Sequence, residues 1–183
     1  MPELGGDRES MMSDTGRQKG PLLSTFDRLV KRLTEEALEV YGERLVSLVV
    51  FGSVGRGTPT WDSDIDVLLV ARELPSGRMP RVAEFELVEQ RLAEDMSRAR
   101  EAGISTRLSP IIRTQDEMAL GGLIFLDMVE DAKVLFDRNG FFSGFIREFK
   151  AKLEIMGSRR VFRAGAWHWV IKPDLRPGEV IDI

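Results

Sequence analysis

The sequence predicts a mixed α/β (α+β) fold in which helices flank a mixed β-sheet. Two short apolar runs rich in β-branched residues, at 46–51 and 64–70, have the length and composition of buried strands. Apolar residues recur at steps of three and four over residues 22–41, 80–102 and 141–156, as they do on one face of a helix. Strands that alternate with helices of this length indicate helices packed on a sheet.

The first helix is expected over residues 22–41, with Ser24 or Thr25 as its N-cap and Gly42 at its end. The preceding residues, 1–20, mix charged and small side chains without periodicity, so we predict a flexible leader there. They contain no apolar core of the kind found in signal peptides.

The first strand stops abruptly at Gly52, and any short helix after it should begin near Ser53 and end before Pro59. The second strand and a charged helix over residues 80–102 follow. A third strand is expected over residues 104–113. Pro110 interrupts it and cannot donate to a ladder, which indicates an edge position or a bulge.

Thr114 and Glu117 have the spacing of a capping box and predict a helix that continues to about residue 129, weakened by the Gly121-Gly122 pair. A short strand over residues 133–137 and a turn then lead to the helix over residues 141–156. The aromatic stripe of that helix is expected to be core. The last residues are rich in turn signals, and we interpret them as a docking tail. This tail contains the single histidine of the chain, His168, for which a packed or surface-exposed position is favoured over a catalytic role.

Composition narrows the class of protein. The chain has 183 residues, enough for one domain with a sizeable core, and its 43% hydrophobic content is ordinary for a globular protein. No apolar run reaches the length of a membrane helix, and the absence of cysteine excludes disulfides and thiol chemistry. We therefore expect a cytoplasmic protein. A net charge of −4 argues against a protein that mainly coats nucleic acid.

The glycine turn between the first two strands combines features of a phosphate site. Gly52 has no Cβ, so the backbone can approach a ligand closely, and Ser53 adds a hydroxyl. Side chains alternate along a strand, so Asp64 and Asp66 should project from one face while Ile65 enters the core. Two adjacent carboxylates repel each other, and a divalent cation between them relieves the repulsion. Mg²⁺ suits such a site because it binds one or two carboxylates together with substrate phosphates.

At these residues the chain resembles the DNA polymerase β-like nucleotidyltransferases, in particular their small stand-alone members. The match consists of Gly52-Ser53, ten intervening residues and Asp64-x-Asp66, with Arg56-Gly57 after the serine and Ser63 before the first aspartate. The motif covers about twenty residues, and the order of elements extends the likeness loosely over residues 22–137. The alternative is that the glycines and serines form only tight, solvated turns.

The resemblance implies transfer of a nucleoside monophosphate from a nucleoside triphosphate, with ATP the expected donor, to an acceptor hydroxyl with Mg²⁺ or Mn²⁺. Asp64 and Asp66 would be the catalytic metal ligands, and Gly52, Ser53, Arg56 and Ser63 would bind the nucleotide. Arg56 has an equally weighted alternative role, pairing with an acidic neighbour such as Asp62. The implied division is a leader (residues 1–20), a nucleotidyltransferase domain (21–140) and a C-terminal helix with a docking tail (141–183).

One feature of the family is missing from the expected place. Its third carboxylate usually comes from a later strand, but the run from 104 to 113 contains neither Asp nor Glu. If that strand pairs beside the Asp64-x-Asp66 strand, then Thr106, Leu108 or Ser109 occupies the position. Two function classes therefore stay open: a transferase acting on a small molecule, a protein or an RNA end, and a degenerate nucleotide-binding module or antitoxin-like partner of a HEPN-type protein.

The C-terminal region carries a local excess of positive charge. Residues 141–172 contain seven basic and two acidic side chains. A solvated helix face and an anion-facing surface explain this excess equally well.

Overall fold

A computed structural model describes residues 10–163 and 166–175 of the chain. The helices are α1 (Ser10–Tyr41), α2 (Gly52–Gly55), α3 (Arg78–Glu101), α4 (Gln115–Ala119), α5 (Phe125–Asp131) and α6 (Phe141–Ile155). The strands are β1 (Leu45–Phe51), β2 (Ile65–Ala71), β3 (Leu108–Arg113), β4 (Lys133–Asp137), β5 (Arg159–Arg163) and β6 (Ala166–Val170). Among these residues no helix is both long and apolar enough to cross a bilayer.

The main sheet has four strands in the order β3-β2-β1-β4, with β2 and β3 parallel and β1 antiparallel to both of its neighbours. The predicted mixed sheet is thus confirmed. At one end of the sheet, the C-terminus of β1 lies beside the N-termini of β2 and β3, since Phe51 pairs with Asp66 and Asp66 pairs with Ser109. The glycine turn and the aspartate motif therefore lie at the same end of the sheet.

The sheet is packed on both faces, so the fold has two hydrophobic cores. On one face, Leu48 and Val50 of β1 and Val67 of β2 join the buried side chains of α1 and α3. On the other face, Val49 and Leu68 join those of α5 and α6. Because side chains alternate along a strand, each central strand supplies both cores, which explains why its sequence is apolar almost without interruption.

The aromatic stripe of α6 belongs to the second core, as predicted. Phe142 and Phe149 are buried, and Phe125 of α5 meets Phe145 edge to face at a centroid distance of 4.7 Å. This packing fixes α5 against α6 and, through α6, against β1.

Helix α1 begins before its predicted start. It extends from Ser10 through Pro21 to Tyr41, so the expected N-caps Ser24 and Thr25 lie inside it. Their hydroxyls instead donate to the carbonyl of Pro21, at 3.0 and 2.9 Å. The prediction of these caps was wrong because Ser and Thr hydroxyls satisfy a preceding-turn carbonyl as readily as a helix end. The stop at Gly42 was correct.

The segment after β3 contains two helices where one was predicted. Thr114 accepts from the Glu117 backbone at 3.2 Å and Glu117 accepts from the Thr114 backbone at 3.0 Å, which confirms the capping box. The Gly121-Gly122 pair, with φ of +69° and +135°, breaks the helix between α4 and α5. Both angles lie where residues with a Cβ are strained.

The predicted docking tail contains an antiparallel pair. Strands β5 and β6 pair from Arg159 with Val170 to Arg163 with Ala166. Trp169 and Ile171 lie partly buried against the second core, whereas His168 is exposed. The rest of the predicted tail, from residue 176 onward, lies outside the described residues, as do residues 1–9 of the predicted leader.

Candidate active site

The two acidic residues at the start of β2, Asp64 and Asp66, lie on one face, as the alternation predicts. Ile65 and Val67 are fully buried in the core beneath α1 and α3. Asp66, between them, therefore projects from the opposite face, and Asp64 precedes the strand by one residue with the same parity. Asp66 is half-buried, and Asp64 is close enough to act on its ionisation.

Gly52 faces Asp66 across the β1–β2 pair. It adopts φ +66°, and a Cβ at this position would collide with the Oδ2 atom of Asp66. Only glycine therefore satisfies both the backbone angle and the close approach of the carboxylate. The predicted phosphate turn and the predicted metal ligand are thus in direct contact.

Gly55 closes the turn against a different element. A Cβ there would overlap the backbone carbonyls of Val50 and Asp131, so α2 lies directly against the C-terminal end of α5. Two of the glycines in the predicted turn are consequently required by packing in the absence of any ligand.

The two predicted nucleotide-binding serines meet at the mouth of the site. The Ser53 hydroxyl donates to Ser63 Oγ at 3.0 Å, and the Thr60 backbone N–H donates to the same oxygen at 2.9 Å. The loop between α2 and β2 is thereby folded back, so that residues ten positions apart line one opening.

Arg56 pairs with an acid that sequence reasoning did not consider. Its Nη1 atom lies 2.6 Å from Oδ2 of Asp131, whose side chain is only 5% exposed, and Arg160 of β5 reaches the same oxygen at 3.4 Å. The suggested partner Asp62 was wrong, because Asp62 accepts from the Thr60 hydroxyl at 2.7 Å. The acid was missed because α5 reaches Arg56 only through the tertiary fold.

A second arginine, Arg107, sits directly on the aspartate motif. Its Nε atom lies 2.9 Å from Oδ2 of Asp64, although the Arg107 side chain is 81% exposed. The residue is anchored by its backbone, since the Ile65 N–H donates to the Arg107 carbonyl at 2.9 Å. Sequence reasoning missed this residue because its position depends on the parallel register of β2 and β3.

The environment of Asp66 raises the pKa of its carboxyl group above the ordinary value. Burial raises the pKa of Asp66 most strongly, and the neighbouring charge of Asp64 raises it further. Ser109 and Arg56 lower this pKa, whereas Asp127 of α5 raises it again. A carboxylate that is desolvated beside like charges gains most from a bound cation.

The donor set fits a hard divalent cation that keeps water or phosphate ligands. Asp64 and Asp66 offer carboxylate oxygens, the ligands that Mg²⁺ and Mn²⁺ prefer. Across the described residues, no three side chains of the His, Cys, Asp and Glu types gather closely enough to hold a metal. Two protein ligands with an open remainder are typical of sites where a triphosphate completes the coordination.

Ser109 occupies the strand position next to the motif where a third acid was sought. The parallel register pairs it with Asp66 and pairs Leu108 with Ile65. Leu108 is buried in the core beneath α1 and α3, so it does not occupy the position of the third acid. Thr106 precedes the strand and does not occupy that position either. Asp127 is a further acid that raises the pKa of Asp66, and it comes from α5 rather than from the sheet.

Comparison with known proteins finds similarity to nucleotidyltransferases. Residues 30–114 match the family model of the nucleotidyltransferase domain. A Methanocaldococcus jannaschii protein, named provisionally as a protein adenylyltransferase, is 25% identical over 127 residues, which are 68% of this chain and 81% of that protein.

Solved structures with a related arrangement superimpose only loosely. A toxin–antitoxin complex with AMP-PNP gives a TM-score of 0.44 at 15% identity, over 70% of this chain and 92% of that chain. A Sulfolobus solfataricus structure, described provisionally as a nucleotidyltransferase, gives 0.35 at 20% identity, over 63% of this chain and 86% of that chain. These superpositions are too loose to support an argument about function. The residues that match the nucleotidyltransferase domain model, 30–114, include the glycine turn and both aspartates of the Asp64-x-Asp66 motif.

Proposed function

We propose that this protein transfers an adenylyl group from ATP to a hydroxyl of a protein acceptor with Mg²⁺, which Mn²⁺ can replace. The observation that carries the proposal is the contact between Gly52 and Asp66, with Asp64 on the same side of β2. This contact brings a serine-bearing turn and two carboxylates to one opening, where phosphate and cation can be bound together.

Each residue of the opening has a separate role in the proposed reaction. Asp64 and Asp66 would hold the divalent cation, whose chemistry is to offset charge on the attacking and leaving oxygens. The hydroxyls of Ser53 and Ser63 would donate to the terminal phosphates. Arg56, exposed beyond its contact with Asp131, would add positive charge beside the triphosphate.

The proposed reaction is a single displacement at the α-phosphorus of ATP. The acceptor oxygen forms a bond to this phosphorus while the bond to the β-phosphate oxygen breaks, so pyrophosphate leaves with the bonding electrons. The hydroxyl proton passes to solvent, because the strand position of the third acid holds Ser109, which is a poor base.

The identity of the donor and acceptor is supported by the relative from Methanocaldococcus jannaschii, whose name specifies adenylyl transfer to protein. The net charge of −4 also disfavours a polyanionic acceptor that would contact a large part of the protein surface.

A second candidate is a nucleotide-binding module that no longer catalyses transfer. It is favoured by Ser109 at the place of the third acid and by Arg107, which pairs with Asp64 where a cation would bind. Such a module would bind ATP with Mg²⁺ but would not release pyrophosphate.

The test compares two labelled forms of ATP incubated with the protein, Mg²⁺ and an extract of its host. Label at the α-phosphate should enter protein, label at the γ-phosphate should not, and Asp66→Asn should abolish incorporation. Tight binding of ATP without incorporation of either label would support the binding module. Transfer of the γ-phosphate would indicate a phosphotransferase and contradict the proposal.

A further inference from the structure

A groove follows the outer edge of β3, the terminal strand of the main sheet. It encloses about 430 Å³, and the four consecutive residues Pro110 to Arg113 form its floor. The start of α3, with Arg78 and Arg81, lines one side, and Glu117 of α4 lines the other and pairs with Arg81 at one end of the groove. Since α3 packs on one face of the sheet and α4 on the other, the groove opens edge-on to the strand.

The backbone of the floor has hydrogen-bonding groups that point away from the sheet. The Arg107 carbonyl accepts from Ile65 of β2, so Arg107 turns its polar groups toward β2. Backbone groups in a parallel ladder alternate, so those of Pro110 and Ile112 point outward. Pro110 has no N–H to leave unpaired, which explains how proline is accepted in this strand. The Pro110 carbonyl and both polar groups of Ile112 therefore line the groove.

The walls are positively charged on a chain that is negative overall. Three arginines, Arg78, Arg81 and Arg113, face a single acid, Glu117, whereas the whole chain has a net charge of −4. Arg81 is held in place by Pro75 O at 2.8 Å and by Glu117 at 2.7 Å. These two bonds use two of its five N–H donors. Arg78 and Arg113 are exposed and make no side-chain hydrogen bond within the described residues.

We propose that this groove, defined by Arg78, Arg81 and Pro110 to Arg113, binds an extended acidic segment of a partner protein as an additional strand beside β3. An extended backbone supplies the partners that Pro110 and Ile112 lack, and acidic side chains complement the arginines. Four strand residues span about 13 Å, which matches a short extended segment. A protein segment fits better than single-stranded nucleic acid, because the described lining contains no aromatic side chain on which bases could stack.

The groove also leads to the candidate active site. Its first floor residue, Pro110, follows Ser109, which pairs with Asp66 in the sheet. An added strand that continued past Pro110 would bring its next residues beside the start of β3, one strand away from Asp66. The groove would then dock the acceptor protein and present its hydroxyl. This delivery rests on the proposed function, whereas binding of the segment does not.

The test uses nuclear magnetic resonance of the full, isotope-labelled chain without nucleotide or metal. The probe is a seven-residue peptide in which glutamate alternates with threonine or valine. Saturable shifts are expected at the amides of Ile112 and Arg113. Two matched peptides separate the contribution of charge from that of backbone pairing. One carries lysine in place of glutamate, and the other is N-methylated at alternate residues so that it cannot extend a sheet. Both should bind at least about tenfold more weakly.

A double substitution, Arg78→Gln with Arg113→Gln, should weaken binding of the acidic peptide about tenfold or more. Arg100→Gln, at the far end of α3, is the control and should leave binding unchanged. Absence of shifts at Ile112 and Arg113 at millimolar peptide would overturn the proposal, as would equal binding of the lysine or N-methylated peptide. Equal shifts with inorganic phosphate or with oligouridylate would overturn it in favour of a general anion site. Because no nucleotide is present, failure of adenylyl transfer would leave this result unaffected.

Discussion

The guanidinium of Arg107 donates to the carboxylate of Asp64 across 2.9 Å, so a cation from the protein itself contacts the oxygen proposed to bind metal. The pair is exposed, and exposed ion pairs contribute about 0.2–1 kcal/mol. A metal ion bound there would therefore displace Arg107 at little cost, and the arginine would then be free to contact phosphate or acceptor.

Replacing Arg107 by glutamine should tighten binding of Mn²⁺ in the absence of nucleotide by about 1.4- to 5-fold, the factor that corresponds to loss of the competing pair. Electron paramagnetic resonance of free Mn²⁺ measures this affinity directly. Weaker binding of Mn²⁺ to the variant would show that Arg107 supports the metal site.

Two glycines with similar backbone angles should respond differently to alanine. Gly57 has φ +74° and open space around it, so Gly57→Ala should cost about 1–2 kcal/mol in free energy of unfolding from the backbone alone. Gly52 has φ +66° and Asp66 against it, so Gly52→Ala should cost about 1–3 kcal/mol more. Urea unfolding of both variants provides the measurement. Equal losses would mean that the contact between Gly52 and Asp66 is not tight.

The pH dependence of stability should include a contribution from Asp137, which ends β4 and accepts hydrogen bonds from the first turn of α6. Burial alone would raise the pKa of Asp137, but hydrogen bonds from Ser143, the Phe142 backbone and Ser47 together lower it. Because the folded pKa is below the unfolded one, the stabilisation is complete above the unfolded pKa, about 3.9, and is lost as pH falls through the folded value.

Thermal unfolding between pH 6 and about pH 3 tests this contribution. Asp137→Ala should cost about 1 kcal/mol at neutral pH because it removes the acceptor of two N–H groups in the first turn of α6. Asp137→Asn keeps a capping oxygen but cannot titrate, so the stability difference from wild type should shrink as the solution is acidified. A difference that stays constant down to pH 3 would contradict the assignment.

The third-acid position can be tested by introducing the missing carboxylate. The register selects Ser109 among the three residues considered, because it pairs with Asp66 whereas Leu108 is buried. A positioned general base contributes about 10²–10⁴-fold, so Ser109→Asp should accelerate transfer by about tenfold or more even with imperfect placement. Pyrophosphate release under single-turnover conditions measures the rate. An unchanged or slower rate would show that the proton is accepted elsewhere, with Asp127 the next residue to test.

The parts of this structure that sequence could predict are those determined by neighbours a few residues away. The alternation that places Asp64 and Asp66 together and the capping box at Thr114 depend only on local spacing. The environment of the site depends on distant contacts instead. Arg56 meets Asp131 across 75 positions, and Arg107 reaches Asp64 across 43.

The C-terminal hairpin was missed for a related reason. Strand β5 is Arg-Arg-Val-Phe-Arg, and its exposed arginines hide the two-residue apolar alternation that identifies a half-buried strand. Its inward residue, Arg160, is held by the buried carboxylate of Asp131, a contact with no sequence signal. Strands stabilised by an ion pair instead of apolar burial escape a prediction based on hydrophobic periodicity.

Calorimetric titration of ATP at saturating Mg²⁺ tests most directly whether Asp64 and Asp66 form the nucleotide site. The titration compares wild type with Asp64→Asn, Asp66→Asn and a control, Asp116→Asn. The control changes an exposed acid at the start of α4. Wild type and the control should bind ATP equally and only with Mg²⁺ present, whereas each motif variant should lose on the order of 100-fold in affinity because a cation ligand and its charge are gone. Equal affinity in all four proteins, or binding that does not depend on Mg²⁺, would show that the carboxylates of Asp64 and Asp66 do not form the nucleotide site.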